Sequence, residues 1–172
     1  MIWRVSMVYH SSFKKYDKEK MAKAVGLDLP ASTKESIEIS NAIRYKSLSR
    51  AKAILKDAIA LKHAIPYKRF IWDMGHKPGM AAGRFPVKVA SLILALLESA
   101  EANAQFKGLN SAHLHIVHIN ANRAARPMRA GRHRGRQAKR THIELVLQER
   151  VKKAKEPALK KIERANNDAK HK

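Results

Sequence analysis

The chain has 172 residues, and its 36 Lys and Arg against 14 Asp and Glu give a formal net charge of +22 at pH 7. A surplus of that size repels itself unless a polyanion neutralises it, so nucleic acid is the expected partner and an anionic membrane surface the second choice. The absence of cysteine excludes disulfides, thiolate metal sites and thiol catalysis, and it fits a reducing compartment.

No segment has the length that a membrane-spanning helix requires. The longest dense apolar run, residues 87–97, falls short of the roughly 20 residues of such a helix. Residues 1–20 lack a continuous apolar stretch of signal-peptide length. We therefore expect a soluble intracellular protein with one domain and extensions.

Two basic extensions flank the central part of the chain. Residues 1–30 mix aromatic residues with lysines and are interrupted by Gly26 and Pro30, so we interpret them as an extended N-terminal arm that packs on another surface and is not a core element. Residues 152–172 are charged and low in bulky residues, which favours a solvated helix or a disordered tail. The domain itself is expected to occupy residues 31–151.

The domain is predicted to begin with a short strand. Residues 34–39, KESIEI, place both isoleucines on one face, which is strand periodicity over a short span. A side chain at Ser40 or Asn41 can then accept a hydrogen bond from the first free amides of a helix. The pattern predicts a short helix that continues through Tyr45.

Two longer helices are predicted next. After Ser47, apolar residues recur at three- and four-residue spacing over residues 48–61, and cationic residues lie between them, so one face is buried and the other is basic. We expect Pro66 to end this helix. Pro86 suits the first turn of a second helix, which is strongly apolar at first and has Gly108 as its C-terminal cap. That helix is expected to lie against a sheet.

The insert between these helices, residues 66–85, has no clear period and is expected to be an ordered loop. Its aromatic residues alternate with basic ones, a mixture that suits base stacking together with phosphate contact. The alternative is that the aromatic residues close a gap in the core, and the sequence leaves both open. The aromatic residues are Tyr67, Phe70 and Trp72, and the candidate RNA-binding residues are Lys68, Arg69, His76, Lys77 and Arg84.

Two predicted strands flank the most basic part of the chain. Residues 112–120 and 141–150 show strand-like alternation, and residues 120–142 between them contain no Asp or Glu. The pattern favours a long hairpin arm over a disordered basic loop, because strands hold both of its ends. Arginine predominates, which favours bidentate phosphate contacts. The candidate RNA-binding residues of the arm are Arg123, Arg126, Arg129, Arg132, Arg134, Arg136, Lys139 and Arg140.

The histidines and glutamates give no positive case for an enzyme or a metal site. His113, His115 and His118 are close in sequence, but no cysteine or well-placed carboxylate completes a metal site, so bonds to backbone or phosphate are favoured. Glu98 and Glu101 share a helix face, where carboxylates beside many lysines ordinarily form ion pairs. No glycine-rich phosphate loop or nucleophile motif is present, and we expect no cofactor.

The ordered segments, taken together, resemble a known family. In chain order they are STKESIEISNAIR, SLSRAKAILKDAI, the insert motifs PYKR, GHKPG and GRFPVKVA, and then LLESAEANAQFKGL, HIVHI and THIELVLQER. They resemble the large-subunit ribosomal protein family numbered twenty-two in the universal nomenclature, whose eukaryotic members are called L-seventeen. The match covers about residues 20–150, and LESAEANAQFKGL followed by HIVHI is its most specific part. The insert and the KMAKAVG segment resemble the archaeal and eukaryotic branch.

This resemblance implies both a fold and a role. The fold is α/β (α+β), with a three-stranded antiparallel sheet packed on about three helices and a long protruding β-hairpin. The role is that of a structural constituent of the large ribosomal subunit, located in the cytoplasm, which binds large-subunit rRNA and supports assembly. The hairpin, residues 123–140, would help to form the wall of the polypeptide exit tunnel. The implied partners are the rRNA, neighbouring large-subunit ribosomal proteins and the nascent polypeptide near the hairpin tip, with no membrane.

Two other classes stay open on the residues alone. A free-standing basic protein that packages nucleic acid would carry the same charge, and it would bind through the same release of counterions. A protein of the membrane surface would need an amphipathic helix with a strongly basic face. The first of these is the main alternative to the ribosomal role.

Overall fold

The computed structural model describes residues 11–150, which form an α+β fold of three helices and two three-stranded antiparallel sheets. The elements are, in chain order, β1 (Met21–Leu29), α1 (Thr33–Ile43), α2 (Leu48–Ile59), β2 (Ile65–Pro66), β3 (His76–Lys77), β4 (Met80–Arg84), α3 (Val87–Phe106), β5 (Leu114–Arg123) and β6 (Thr141–Glu149). The predicted fold class is confirmed. The predicted tail, residues 152–172, lies outside the described residues, and the division into arm, domain and tail stays a prediction.

The main sheet has β6 as its central strand, in the order β1-β6-β5. Ile143, Leu145 and Leu147 alternate along β6, and each is buried in the hydrophobic core. Helix α3 packs on β1 and β6, α1 packs on β5, and α2 packs on α3. Two of the three strands therefore depend on β6 for their place in the core.

The predicted strand at residues 34–39 is wrong, because these residues belong to α1, which begins at Thr33 and not at Ser40 or Asn41. Two isoleucines in a short window cannot separate a strand period from a helical one. The buried residues of α1 instead follow helical spacing and are Ser36, Glu38, Ile39, Ser40 and Ile43. The buried hydroxyls of Ser36 and Ser40 donate to carbonyls four residues earlier, at 2.9 and 2.7 Å, so the helix satisfies them internally.

The first strand of the sheet lies inside the predicted N-terminal arm. The expectation that residues 1–30 contain no core element is wrong for Met21–Leu29, which pair antiparallel with β6. Its core residues are Ala22 and Ala24, whose small side chains gave little apolar signal in the sequence. Nearer the start of the described residues, Ser11 and Ser12 both donate to the Glu144 carboxylate of β6.

The predicted start of α2 is confirmed and its predicted end is wrong. Ser47 precedes the first helical residue, but the helix ends at Ile59, well before Pro66. The chain leaves the helix through Leu61, which has a left-handed φ of +58°. Pro66 instead belongs to β2, which pairs with β4 in the small sheet. Strands of two residues are too short to show a period, so the sequence indicated only a loop here.

The predictions for α3 and for the last two strands are confirmed. Pro86 directly precedes the first residue of α3, and Ala100 and Ala104 continue its buried face. Gly108 follows the helix with φ +75°, a conformation that favours glycine. The two following strands, Leu114–Arg123 and Thr141–Glu149, lie within three residues of the predicted bounds and pair antiparallel.

Tyr67 is the one side chain among residues 11–150 that buries a polar atom without a hydrogen-bond partner. Its ring is 4% exposed and packs in the core, while its hydroxyl finds no donor or acceptor. Burial raises the pKa of Tyr67 well above its usual range, and the nearby carboxylate of Glu35 raises it further.

Replacing this tyrosine tests whether the hydroxyl destabilises the fold. We expect Tyr67→Phe to raise the free energy of unfolding by about 1 kcal/mol at neutral pH, because an unpartnered hydroxyl leaves the interior. Above about pH 10 the unfolded chain ionises this group and the folded chain does not, so wild-type stability falls there and the variant's advantage grows. Urea unfolding of the full chain at pH 8 and at pH 10.5 measures both effects.

The matched control is Tyr16→Phe. The Tyr16 hydroxyl donates to the carbonyl oxygen of Met21 at 3.0 Å, so its removal should lower stability. A loss of stability in Tyr67→Phe as large as that in Tyr16→Phe would contradict the conclusion that the Tyr67 hydroxyl has no hydrogen-bond partner.

Candidate nucleic-acid interface

The basic arm, residues 123–140, begins where the ladder between β5 and β6 ends. Pairing in this ladder runs from Leu114 opposite Glu149 to Arg123 opposite Thr141. The helix-facing side chains of both strands are buried, and a slip of one residue would turn those of the slipped strand outward. The core therefore fixes the register, and with it the two points from which the arm starts.

Backbone hydrogen bonds continue between the two limbs of the arm. Three amide-to-carbonyl bonds of 2.9 to 3.2 Å join Ala124 to Arg140, Ala138 to Pro127, and Arg129 to Arg136. At the far end, a 3-10 turn at Gly131–His133 reverses the chain, and Gly131 adopts φ +67° there. These bonds favour the hairpin interpretation over a disordered loop. The distance over which the arm protrudes stays a prediction.

The basic side chains of the arm are mostly exposed. Arg140 is the exception, because it is half-buried and its Nη1 donates to the carbonyl oxygen of Asp28 in β1 at 2.8 Å. This bond ties the base of the arm to the edge of the sheet. The exposed basic residues are Arg123, Arg126, Arg129, Arg132, Arg134, Arg136 and Lys139.

Two clefts lie along the arm. In the first, of about 490 Å³, Arg129, Lys139 and Arg140 share the lining with Lys88 near the start of α3. Arg126 and Arg140 line the second, of about 500 Å³. Cationic groups around a concave surface raise the local concentration of anions, and guanidinium groups match the geometry of phosphate. Both clefts therefore suit the backbone of a nucleic acid.

The insert, residues 66–85, is fastened to α1 by one buried carboxylate. Glu38 is 1% exposed, and its two oxygens accept hydrogen bonds from the backbone amides of Lys68 at 3.1 Å, Arg69 at 2.7 Å and Phe70 at 2.8 Å. Hydrogen bonds to an ionised acceptor are stronger than neutral ones, and they offset the cost of burying the charge. This contact fixes the backbone of residues 68–70 while the side chains of Lys68 and Arg69 stay exposed.

The other candidate residues of the insert lie together on the small sheet. His76 and Lys77 in β3 and Arg84 in β4 line a cleft of about 400 Å³. The Lys77 ammonium lies 5.7 Å from the centre of the Phe85 ring, which holds it over an aromatic face. The structure thus brings three of the five candidate residues of the insert into one surface, whereas Lys68 and Arg69 belong to the part held by Glu38.

The sequence left open whether the aromatic residues of the insert stack on RNA bases or pack in the core, and the structure places them differently. Tyr67 is a core residue, as the packing alternative predicted. Phe70 is half-buried, with the Arg69 guanidinium 5.4 Å and the Lys34 ammonium 5.7 Å from its ring centre. Trp72 is 84% exposed and is therefore accessible to a stacking partner. Its stacking on a base stays a prediction.

The histidines near β5 contact the protein itself. His115 Nδ1 lies 3.0 Å from the carbonyl oxygen of His113, and His118 Nε2 lies 3.1 Å from the hydroxyl of Ser12. Glu101 forms an ion pair with Lys52 of α2, as expected for a helix-surface carboxylate. Within residues 11–150, no three His, Asp or Glu side chains are grouped to hold a metal ion. No helix in this part of the chain is long and apolar enough to cross a membrane.

The sequence missed a further basic surface, between α1, α2 and the insert. A cleft of about 380 Å³ there is lined by Lys46, Arg50, His63 and Lys68. The sequence pattern indicated only a generally basic face on this helix, and it singled out neither Arg50 nor Lys46. The connection between α1 and α2 has no motif of its own, so only the fold reveals that its residues lie beside the insert.

Comparisons with known proteins agree with the resemblance found in the sequence. Residues 24–148 match the family described as "Ribosomal protein L22p/L17e". The chain is 41% identical over 152 residues to the large ribosomal subunit protein uL22 of Staphylothermus marinus, covering 82% of this chain and 97% of that protein. It is 43% identical over 139 residues to the uL22 protein of Methanosphaera stadtmanae, covering 76% of this chain and 90% of that protein. The suspected family is therefore confirmed.

The role of Glu38 can be tested by a substitution that keeps its shape. Glu38→Gln turns one acceptor oxygen into a donor that faces a backbone amide, so we expect unfolding to require about 2 kcal/mol less free energy. Amide hydrogen exchange at residues 68–70 should become much faster, because the backbone loses its fixed acceptors. Chemical denaturation and exchange measured by NMR give the two quantities.

The control for this experiment is Glu35→Gln, three residues earlier on the same helix. Glu35 is half-buried, and we expect its replacement to change stability by no more than about 0.5 kcal/mol. Unchanged protection of residues 68–70 in Glu38→Gln would show that the insert is held by other contacts.

Proposed function

Because the chain belongs to the ribosomal protein L22p/L17e family, we propose that it is a structural component of the large ribosomal subunit that binds large-subunit rRNA. The observation that carries this proposal is the basic arm, whose two ends are held in register by the buried β5 and β6 ladder. A protein of this kind acts in the cytoplasm as part of the ribosome. Its role is architectural, and it needs no catalytic step.

Affinity in this proposal comes from the displacement of counterions by many basic side chains. Each phosphate that a lysine or arginine neutralises releases condensed cations, and this release favours binding without reading base sequence. The seven exposed cations of the arm supply one such set of contacts. Selectivity then comes from RNA shape, because the folded core fixes where these charges lie relative to one another.

The contact surface is proposed to include three regions. They are the arm with its two clefts, the cleft of His76, Lys77 and Arg84, and the exposed side chains of Lys68 and Arg69. The regions lie on separate elements that pack on one core, so a single protein can hold more than one RNA segment in a fixed arrangement. This supports a role in the folding and assembly of the subunit.

Two finer parts of the proposal rest on the family resemblance. We propose that the arm helps to form the wall of the polypeptide exit tunnel and that its tip lies near the nascent polypeptide. The 3-10 turn at Gly131–His133, between the exposed side chains of Arg129 and Arg134, is the part of the arm that would lie nearest to it. Neighbouring large-subunit ribosomal proteins are the remaining proposed partners.

A pair of charge variants tests this proposal against the packaging alternative. The arm variant replaces Arg129, Arg132, Arg134 and Arg136 with Gln, and the control replaces the exposed residues Lys14, Lys15, Lys56 and Lys62 with Gln. Each variant removes four positive charges, so a general loss of charge affects both equally. Filter binding to deproteinised large-subunit rRNA and to random duplex DNA, over a range of salt concentrations, compares the two.

We expect the wild-type chain to retain rRNA at salt concentrations that release the duplex. The arm variant should lose rRNA affinity, and the slope of log affinity against log salt should become shallower by about 3. The control should change much less, because its charges lie outside the proposed contacts. Equal binding of duplex DNA and rRNA at raised salt would instead favour a general packaging protein.

A further inference from the structure

The connection between α1 and α2 exposes an aromatic residue in a strained conformation. Tyr45 is 68% exposed, and its φ of +62° lies in the left-handed region. Bulky residues rarely adopt this region, because their Cβ atom approaches the backbone too closely. The ring contributes little to the core at this exposure, so its burial does not compensate for the strain. Strain of this kind is often found where a side chain has a function.

The strained backbone is held by bonds to the free edge of the main sheet. The Tyr45 amide donates to the carbonyl oxygen of Ile116 at 3.1 Å, and the Ile116 amide donates to the carbonyl oxygen of Lys46 at 3.0 Å. The guanidinium of Arg44 also donates to the carbonyl oxygen of Ile119, at 3.0 Å. Since β5 is an edge strand, these bonds pair backbone groups on the side of β5 that does not face β6. They fix the position from which the Tyr45 side chain extends.

A basic cleft includes the residue that follows Tyr45. Lys46, the next residue in the chain, lines the cleft of about 380 Å³ together with Arg50, His63 and Lys68. Glu38 also lines this cleft, but its carboxylate already accepts three backbone amides of the insert. The charges that remain available to a ligand are therefore positive. An exposed ring one residue away in the chain from a cation-lined cleft combines the two features that bind single-stranded RNA.

We propose that Tyr45 is a stacking platform for an unpaired RNA base, and that Lys46 and Arg50 contact the phosphates next to that base. The inference rests on the proposed binding of rRNA and adds a contact surface outside the arm. A peptide segment of another protein could also cover an exposed tyrosine. The cation-lined cleft that includes the next residue, Lys46, favours RNA, because phosphate matches its charge.

Substitution of Tyr45 by glycine distinguishes the contribution of the ring to RNA binding from the effect of backbone strain on stability. Tyr45→Gly removes the ring and also accepts a positive φ without strain, so the variant should melt at the same or a higher temperature than the wild-type chain. Its affinity for deproteinised large-subunit rRNA should nevertheless fall by about 5-fold to 150-fold, the range measured for the loss of one stacked base. Tyr45→Phe keeps the ring and should bind within about twofold of wild type.

Leu61→Gly is the matched control. Leu61 is 60% exposed with φ +58°, so glycine relieves the same kind of strain there without removing an aromatic ring. We expect this variant to bind the rRNA as the wild-type chain does. Equal losses in Leu61→Gly and Tyr45→Gly would overturn the proposal, since the effect would then come from backbone flexibility. A loss in Tyr45→Phe as large as that in Tyr45→Gly would overturn it too.

Cross-linking distinguishes a failure of this inference from a failure of the proposed function. Single-stranded RNA substituted with 5-bromouridine is irradiated with the full chain, and the modified peptide is identified by mass spectrometry. A cross-link at Tyr45 is expected, with the rRNA and with a random single-stranded RNA. If the wild-type chain shows no preference for rRNA, the ribosomal role fails, and the cross-link still decides the stacking contact. Unchanged RNA binding by Tyr45→Gly with no cross-link overturns the stacking proposal alone.

Discussion

The pairing of β6 on both of its sides is the constraint on which the rest of the structure depends. β1 and β5 both take their register from β6, and its three inward aliphatic residues, Ile143, Leu145 and Leu147, pack in the same core as the helices. The basic arm departs from β5 and returns into β6, so its two ends lie on adjacent paired strands. A strongly cationic segment thus starts from fixed points although its own exposed side chains contribute little to the core. The paired strands β5 and β6 supply the buried contacts, and the segment between them carries the positive charge.

Two buried carboxylates complete this arrangement. The chain has 14 Asp and Glu against 36 Lys and Arg, yet Glu38 and Glu144 are each only 1% exposed. Glu38 accepts the amides of residues 68–70, and Glu144 accepts bonds from Ser11 and Ser12 on the face of the sheet away from the helices. Each one holds a polar segment against the core through charge-assisted hydrogen bonds. Because two of the few carboxylates are buried, they neutralise less of the positive charge on the surface.

The sequence predicted the parts of the fold in which the hydrophobic period is long. Helix α3 and the last two strands follow from such patterns. The α+β class was implied by the family resemblance, and the protruding hairpin arm stays a prediction. Prediction from the sequence failed where the hydrophobic pattern was short or weak. The two isoleucines of residues 34–39 suit a strand period as well as a helical one, and the core residues of β1 are alanines. The basic residues of the arm could be named from composition. The clefts, the Glu38 contact and Tyr45 could not, because they depend on segments that are distant in the chain.

The proposed architectural role makes the protein an integral part of one particle, held by contacts on several elements together. Its most direct test is sedimentation of large ribosomal subunits through a sucrose gradient after a wash with salt concentrated enough to strip loosely bound cationic proteins. The protein should stay with the large subunit and be absent from the small-subunit fractions. Its release to the top of the gradient, or an equal distribution between the two subunits, would contradict the role.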